Sequence, residues 1–131
     1  MPPKVLQWAR QNEILRIVDD QISNPTWARM LAEATALILA RGQPYLRERS
    51  GLYRLAGGGY ASRLEWAREI LRLDPGPDEQ TAKDVHPAST SEIPTPAQRP
   101  MFSALDCRKS RAALGLDMPA WKDALAMAMG Q

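Results

Sequence analysis

Apolar residues recur along this chain in two rhythms, one helical and one alternating. Val5, Leu6, Trp8 and Ala9 give Lys4–Asn12 the pattern of a short helix. Ile14–Val18 is rich in β-branched residues and reads as a strand, closed by the polar run Asp19–Asn24. Trp27, Met30, Leu31, Ala34, Leu37 and Ile38 then fall at helical spacing. This predicts a long helix opened by Pro25-Thr26, with Thr26 as a candidate cap, and stopped by Gly42. Gln43–Ser50 reads as a charged loop and Gly51–Ala56 as a second strand. Gly57-Gly58-Gly59 makes a turn. Ser62 and Glu65, three apart, form a capping-box pair that starts a helix with Leu64, Ala67, Ile70 and Leu71 as its apolar stripe.

Asp74-Pro75-Gly76-Pro77-Asp78 breaks the pattern, and Thr81–Ser91 shows no clear period beyond a short strand around Val85. Ile93–Pro100 holds three prolines and is expected to be extended. Leu105-Asp106 leads into a short helix ending near Gly115, with Asp106 as its expected cap. Pro119 opens a last helix, where Trp121, Ala124, Leu125 and Ala128 share a face. Strands alternating with helices predict an α/β fold, with helices packed on a few short strands. So few strands make a poor sheet alone, so residues 1–131 are expected to be one portion of something longer. Residues 74–100 form its proline-rich connecting loops.

Composition narrows the function classes. With 44% apolar and 24% charged residues in 131, the chain is neither disordered nor fibrous. One cysteine, Cys107, excludes an internal disulfide, and one histidine, His86, excludes a paired-histidine metal motif. The longest apolar stretch, Leu31–Ala40, is too short for a membrane span and contains Glu33. No apolar segment of a secretory signal follows Met1. The expectation is a cytoplasmic protein without membrane contact. Thirteen of the seventeen basic residues are arginine, but they are scattered and the net charge is only +2, so no nucleic-acid partner is expected.

Few residues suggest chemistry on their own. Gly57-Gly58-Gly59 lies between a predicted strand and helix, where a dinucleotide loop would sit, yet Ser62 stands where the last glycine of Gly-x-Gly-x-x-Gly is required. A plain turn is the simpler reading. His86 has no nucleophilic partner in a motif. Cys107 at a helix start reads as a small, partly buried residue. Asp19-Asp20 lacks a third carboxylate for a cation and reads as a solvated or backbone-bonded loop. The four tryptophans fall on four predicted helices and read as core. No catalytic residue and no metal ligand is assigned.

Four segments carry a resemblance. Val18-Asp19-Asp20-Gln21-Ile22-Ser23-Asn24-Pro25-Thr26 resembles the Val-x-Asp-Gln-x-Gly-x-Pro-Thr signature of dTDP-4-dehydrorhamnose reductases. Gly51–Gly57 followed by Ser62 is similar to their next strand-turn-helix. Pro94-Thr95-Pro96-Ala97-Gln98-Arg99-Pro100, with Ser103, Leu105-Asp106 and Lys109, resembles their Pro-Thr-Pro-Ala-x-Arg-Pro-x-x-Ser-x-Leu-Asp-x-x-Lys segment. Pro119-Ala120-Trp121 looks like their closing Leu-Pro-x-Trp helix. The four motifs stand in order and cover nearly the whole chain. Two positions depart: Ser23 replaces the signature glycine, where a left-handed or reshaped turn is then expected, and Met30-Leu31-Ala32 stands for Asp-Leu-Ala, which removes a carboxylate.

The resemblance implies the C-terminal, sugar-nucleotide-binding part of an extended short-chain reductase. In the whole enzyme NADPH or NADH reduces dTDP-4-dehydro-β-L-rhamnose to dTDP-L-rhamnose. The family's Gly-x-x-Gly-x-x-Gly loop and Tyr-x-x-x-Lys pair are absent from this sequence. The resemblance therefore implies no cofactor bound by this chain, no activity from it alone, and an N-terminal Rossmann half as partner. It also implies self-association through the face that half would cover. By correspondence with the motifs, Arg99 faces the diphosphate of the dTDP-sugar, and Gln21, Thr26 and Ser103 line the substrate cleft. Arg99 pairing with a carboxylate such as Asp106 is the competing reading. A non-catalytic interaction or regulatory module on the same fold is the alternative function.

Overall fold

The computed structural model describes residues 2–130. In chain order these form α1 (Pro2–Gln11), β1 (Ile14–Val18), β2 (Ile22–Ser23), α2 (Ala28–Leu39), α3 (Gly42–Glu48), β3 (Ala61–Ser62), α4 (Arg63–Arg72), a 3-10 turn (Pro77–Glu79), β4 (Asp84–Ala88), α5 (Arg108–Leu114) and α6 (Trp121–Ala128). The fold is α/β, with a few short strands among helices. β1 pairs in parallel with β4, with Ile14 opposite Asp84 and Val18 opposite Ala88. β2 pairs antiparallel with β3.

The core lies where α1 and α4 cover β1. Val5 and Ala9 from α1, Leu15 and Ile17 from β1, and Leu64 and Ile70 from α4 are buried there. Trp121 and Leu125 of α6 close the same cluster. Leu15 and Ile17 alternate with the exposed Ile14 and Arg16, as a strand with one covered face requires. Arg10 joins α1 to the loop after α4, donating to Asp74 at 3.0 Å and to Glu79 at 2.7 Å. Asp74 is buried and also accepts from the Gly76 amide and the Gln80 side chain.

Several expected elements differ. Gln43–Ser50 is not a loop, because α3 occupies Gly42–Glu48. Pro44 sits in its first turn, where the missing N–H has no helical partner to lose. Gly51–Ala56 is not a strand, since side chains take its carbonyls: Lys109 Nζ donates to Leu52 O at 2.8 Å, and Ser110 donates to Arg54 O. α2 starts at Ala28 rather than at Pro25-Thr26, and Thr26 does not cap it. β4 falls on the expected strand around Val85, within the 74–100 segment, and takes in His86 and Pro87. Ser23 needs no left-handed turn: no described residue other than glycine has positive φ, and Ser23 pairs with Ala61 in the β2–β3 ladder.

The Ser62–Glu65 capping box forms as expected. Ser62 Oγ accepts from the Glu65 amide at 3.1 Å, and the Glu65 carboxylate accepts from the Ser62 amide at 2.7 Å. Gly115, in the left-handed conformation, ends α5. Among the tryptophans, Trp121 is core and Trp66 packs on its edge, whereas Trp8 is 44% exposed and Trp27 lies just before α2 outside the core. His86 is an exposed residue on β4 beside Asp84.

Candidate functional site

The loops that carry the sequence motifs converge beyond the end of β1. Asp20 is the first tie. Its carboxylate accepts from the Thr90 hydroxyl at 2.5 Å and from the Thr90 amide at 2.9 Å. These bonds, the hydroxyl first, hold the Asp20 carboxyl below its ordinary pKa. Gln21 is buried and donates to the same Thr90 hydroxyl at 3.0 Å. Asp19 accepts from Ser62 Oγ at 2.7 Å, which couples β1 to the capped start of α4. Both aspartates are thus bonded within the chain, and the described residues contain no cluster that could hold a metal ion.

Asn24 is the second tie. Its amide donates to Gly59 O at 2.6 Å, and its carbonyl accepts from the Leu105 amide at 2.6 Å. One side chain therefore joins the signature loop, the glycine turn and the segment that follows Arg99. Thr26 supplies a third tie: its hydroxyl accepts from the Gly57 amide at 2.9 Å and donates to Asn24 O at 3.0 Å. Ser103 lies along β2, its amide donating to Ile22 O at 2.9 Å and its hydroxyl to the same oxygen at 3.3 Å.

Gln21, Thr26 and Ser103 are thus brought to one region, each with its side chain bonded inside the chain. Arg99 is different. It is exposed in the proline-rich segment and makes no hydrogen bond or ion pair with any described residue. Asp106 is not its partner, because Arg108 takes that carboxylate through a 2.6 Å ion pair. The Arg108 side chain and amide hold Asp106 down at about 2. Asp106 is not the cap expected of it: Cys107 holds that position, and Asp106, one residue earlier, accepts from the Arg108 amide at 3.0 Å.

The glycine turn is a packing device. A Cβ on Gly57 would stand 2.3 Å from Pro25 O, and one on Gly58 would stand 3.0 Å from Met118 O. Backbone fills the Cβ side of both residues, so close packing accounts for glycine at these two positions. A cleft of about 170 Å³ lies between this turn and the start of α5, bordered by Asn24, Leu105, Asp106 and Arg108. An apolar groove of about 340 Å³ lies on another side, between Trp27, Trp66 and Trp121.

Asn24 and Thr90 escaped the sequence reading. Hydrophobic periodicity carries no trace of a side-chain amide bonded to distant backbone. The Asn24-Pro25 pair signals a turn, but not what the turn holds. Thr90 lies in the stretch with no clear period.

The dTDP-4-dehydrorhamnose reductase of Burkholderia thailandensis is 33% identical over 132 residues, covering 94% of this chain and 43% of that protein. That of Sinorhizobium fredii is 34% identical over 126 residues, covering 92% and 40%. A solved dTDP-4-dehydrorhamnose reductase from Clostridium acetobutylicum matches with a TM-score of 0.81 at 25% identity, over 97% of this chain and 41% of that one. One from Bacillus anthracis, solved in complex with NADP, shares the fold with a TM-score of 0.78 at 24% identity. The chain spans about two fifths of the length of these relatives. A family model, the RmlD substrate binding domain, matches residues 2–131. With that match over residues 2–131 and the same fold in solved relatives, the protein belongs to the RmlD substrate binding domain family.

Proposed function

We propose that this chain is the C-terminal, sugar-nucleotide-binding part of a dTDP-4-dehydrorhamnose reductase, and that Arg99 faces the diphosphate of the dTDP-sugar. The carrying observation is the contrast at the motif loops. The polar side chains of Gln21, Thr26, Asn24 and Ser103 are each bonded within the chain, while the Arg99 guanidinium is exposed without a partner carboxylate among the described residues. A rigid loop presenting an unpaired, permanently charged fork suits a diphosphate. Gln21, Thr26 and Ser103 then act chiefly by fixing the loops beside it.

Reduction needs more than this chain. NADPH or NADH supplies the hydride, and in the complete enzyme a Rossmann half holds that cofactor and provides the general acid. The role of the present residues is to hold the sugar nucleotide in place for transfer. Titration of dTDP into the ¹⁵N-labelled chain tests the assignment. Amide shifts should concentrate at residues 20–26, 57–60 and 99–105. Absence of shifts at saturating dTDP, or shifts confined to the α1–β4 side, would overturn it.

A further inference from the structure

The segment carrying Arg99 also presents an aromatic surface that the fold does not use. Tyr60 and Phe102 meet edge to face, with ring centroids 5.8 Å apart and planes inclined by 68°. They are 61% and 60% exposed, so the contact buries little of either ring. Neither belongs to the hydrophobic core, which is complete without them. An edge-to-face pair covers only one face of one ring, so open π-surface remains.

The position of the pair is fixed by backbone. β2 lies between the two segments: Ile22 pairs with Ser62 on one side and bridges to Phe102 on the other. The Ile22 amide donates to Met101 O at 2.8 Å. Asn24 then clamps Gly59, next to Tyr60, and Leu105, three residues after Phe102. Two exposed rings are thus held by ladder bonds and one shared side chain, which is more order than an incidental surface contact requires.

We infer that Tyr60 and Phe102 form the stacking platform for the pyrimidine base of the sugar nucleotide, with Asn24 as the residue that positions both rings. The inference rests on the reading of Arg99 as the diphosphate contact. Phe102 follows Arg99 by three residues, which sets an upper limit of about 10 Å between them along the chain. That matches the scale of a nucleotide from base across ribose to diphosphate. A cation for the diphosphate and a π-face for the base therefore lie on one short segment. Stacking tolerates any base, so the platform supplies affinity rather than base identity.

Phe102 is the only phenylalanine in the sequence, which gives the test a unique probe. The chain labelled with ring-¹³C phenylalanine should show one set of ring signals that moves on adding dTDP and gives nuclear Overhauser contacts to the thymine methyl. Calorimetry supplies the second arm. Phe102→Leu keeps an apolar side chain but removes the ring, and should weaken dTDP binding roughly 5- to 100-fold. Inorganic pyrophosphate, probed in parallel, should bind that variant as it binds the unmodified chain. Asn24→Asp, which loses the amide donor to Gly59, should weaken dTDP and leave pyrophosphate nearly unchanged. Full dTDP affinity in both Phe102→Leu and Tyr60→Leu, or bound dTDP with no contact to the Phe102 ring, would overturn the platform while leaving the diphosphate reading intact. No dTDP binding by the unmodified chain would instead overturn the functional reading itself, and the platform with it.

Discussion

At Gly57 a backbone carbonyl limits what the position can become. A methyl group there would meet Pro25 O at 2.3 Å, and a main-chain atom cannot swing aside as a flexible side chain can. Gly57→Ala should therefore destabilise the fold by roughly 1–3 kcal/mol, the usual range for overpacking. It should also loosen the Thr26 clip across the Gly57 amide. Gly115 makes the contrast. Nothing lies within 4 Å of its added Cβ, yet its φ is +65°. Gly115→Ala should cost only about 1 kcal/mol, the conformational term alone. Urea melts of the two variants check the order, and equal effects would contradict it.

Among the elements, α4 shows how much of the fold is legible in the sequence. Its capping box follows from Ser62 and Glu65 alone, because that spacing lets each side chain reach the other's amide. Ser62→Ala should lower stability by about 1 kcal/mol. The added Asp19 contact at 2.7 Å makes the effect larger than for an isolated cap, and a thermal melt measures it. The helix α3 was illegible because Gly42 and Pro44 look like breakers, although a first turn tolerates both. The segment 51–56 misled in the opposite sense: Leu52, Tyr53 and Leu55 have strand propensity, but among the described residues no strand pairs with them. Tertiary partners decide strands more than propensity does. The two-residue strands β2 and β3 are too short to show any period, and the β1–β4 pairing joins positions 70 residues apart. The motif loops were legible as a group through their resemblance to a family. The ties made by Asn24 and Thr90 were not, because they depend on contacts across the chain.

Acid sensitivity belongs to the elements as well. The Glu92 carboxylate accepts from the Ser89 amide and pairs with Arg16, and these hold it down from 4.5 to about 2. Asp20, bonded to Thr90, is also lowered. A carboxylate with a lowered folded pKa contributes stability that is full above its unfolded value and is lost as pH falls through the folded one. Stability should be level above about pH 5 and decline between pH 4.5 and 2, starting at the turn that holds Thr90. Glu92→Gln should flatten part of that decline in melts taken along the pH series. An unchanged slope would show that the Glu92 contacts do not persist in solution.

On the scale of the whole molecule, the chain taken alone leaves considerable apolar surface in water. Leu37, Leu39 and Leu52 are 58%, 60% and 79% exposed, and Trp27, Trp66 and Trp121 border an apolar groove. Exposed apolar patches drive association. The isolated chain is expected to form dimers or larger species, and a clean monomer by light scattering at high concentration would contradict this. The same chain should not oxidise NADPH with dTDP-4-dehydrorhamnose, since its sequence holds neither the cofactor loop nor a Tyr-x-x-x-Lys pair. Measurable turnover would refute that expectation.

If Arg99 faces a sugar-nucleotide diphosphate, calorimetric titration of dTDP into the unmodified chain and into Arg99→Ala reads that contact. A lost charge-assisted contact of roughly 1.5–3 kcal/mol predicts about ten- to hundredfold weaker binding. The melting temperature should stay unchanged, because Arg99 is exposed and makes no hydrogen bond or ion pair with a described residue. Arg99→Lys should recover only part of the affinity, since a point charge cannot replace a planar fork. Unchanged dTDP affinity in Arg99→Ala, whatever its melting temperature, would rule Arg99 out as the diphosphate contact.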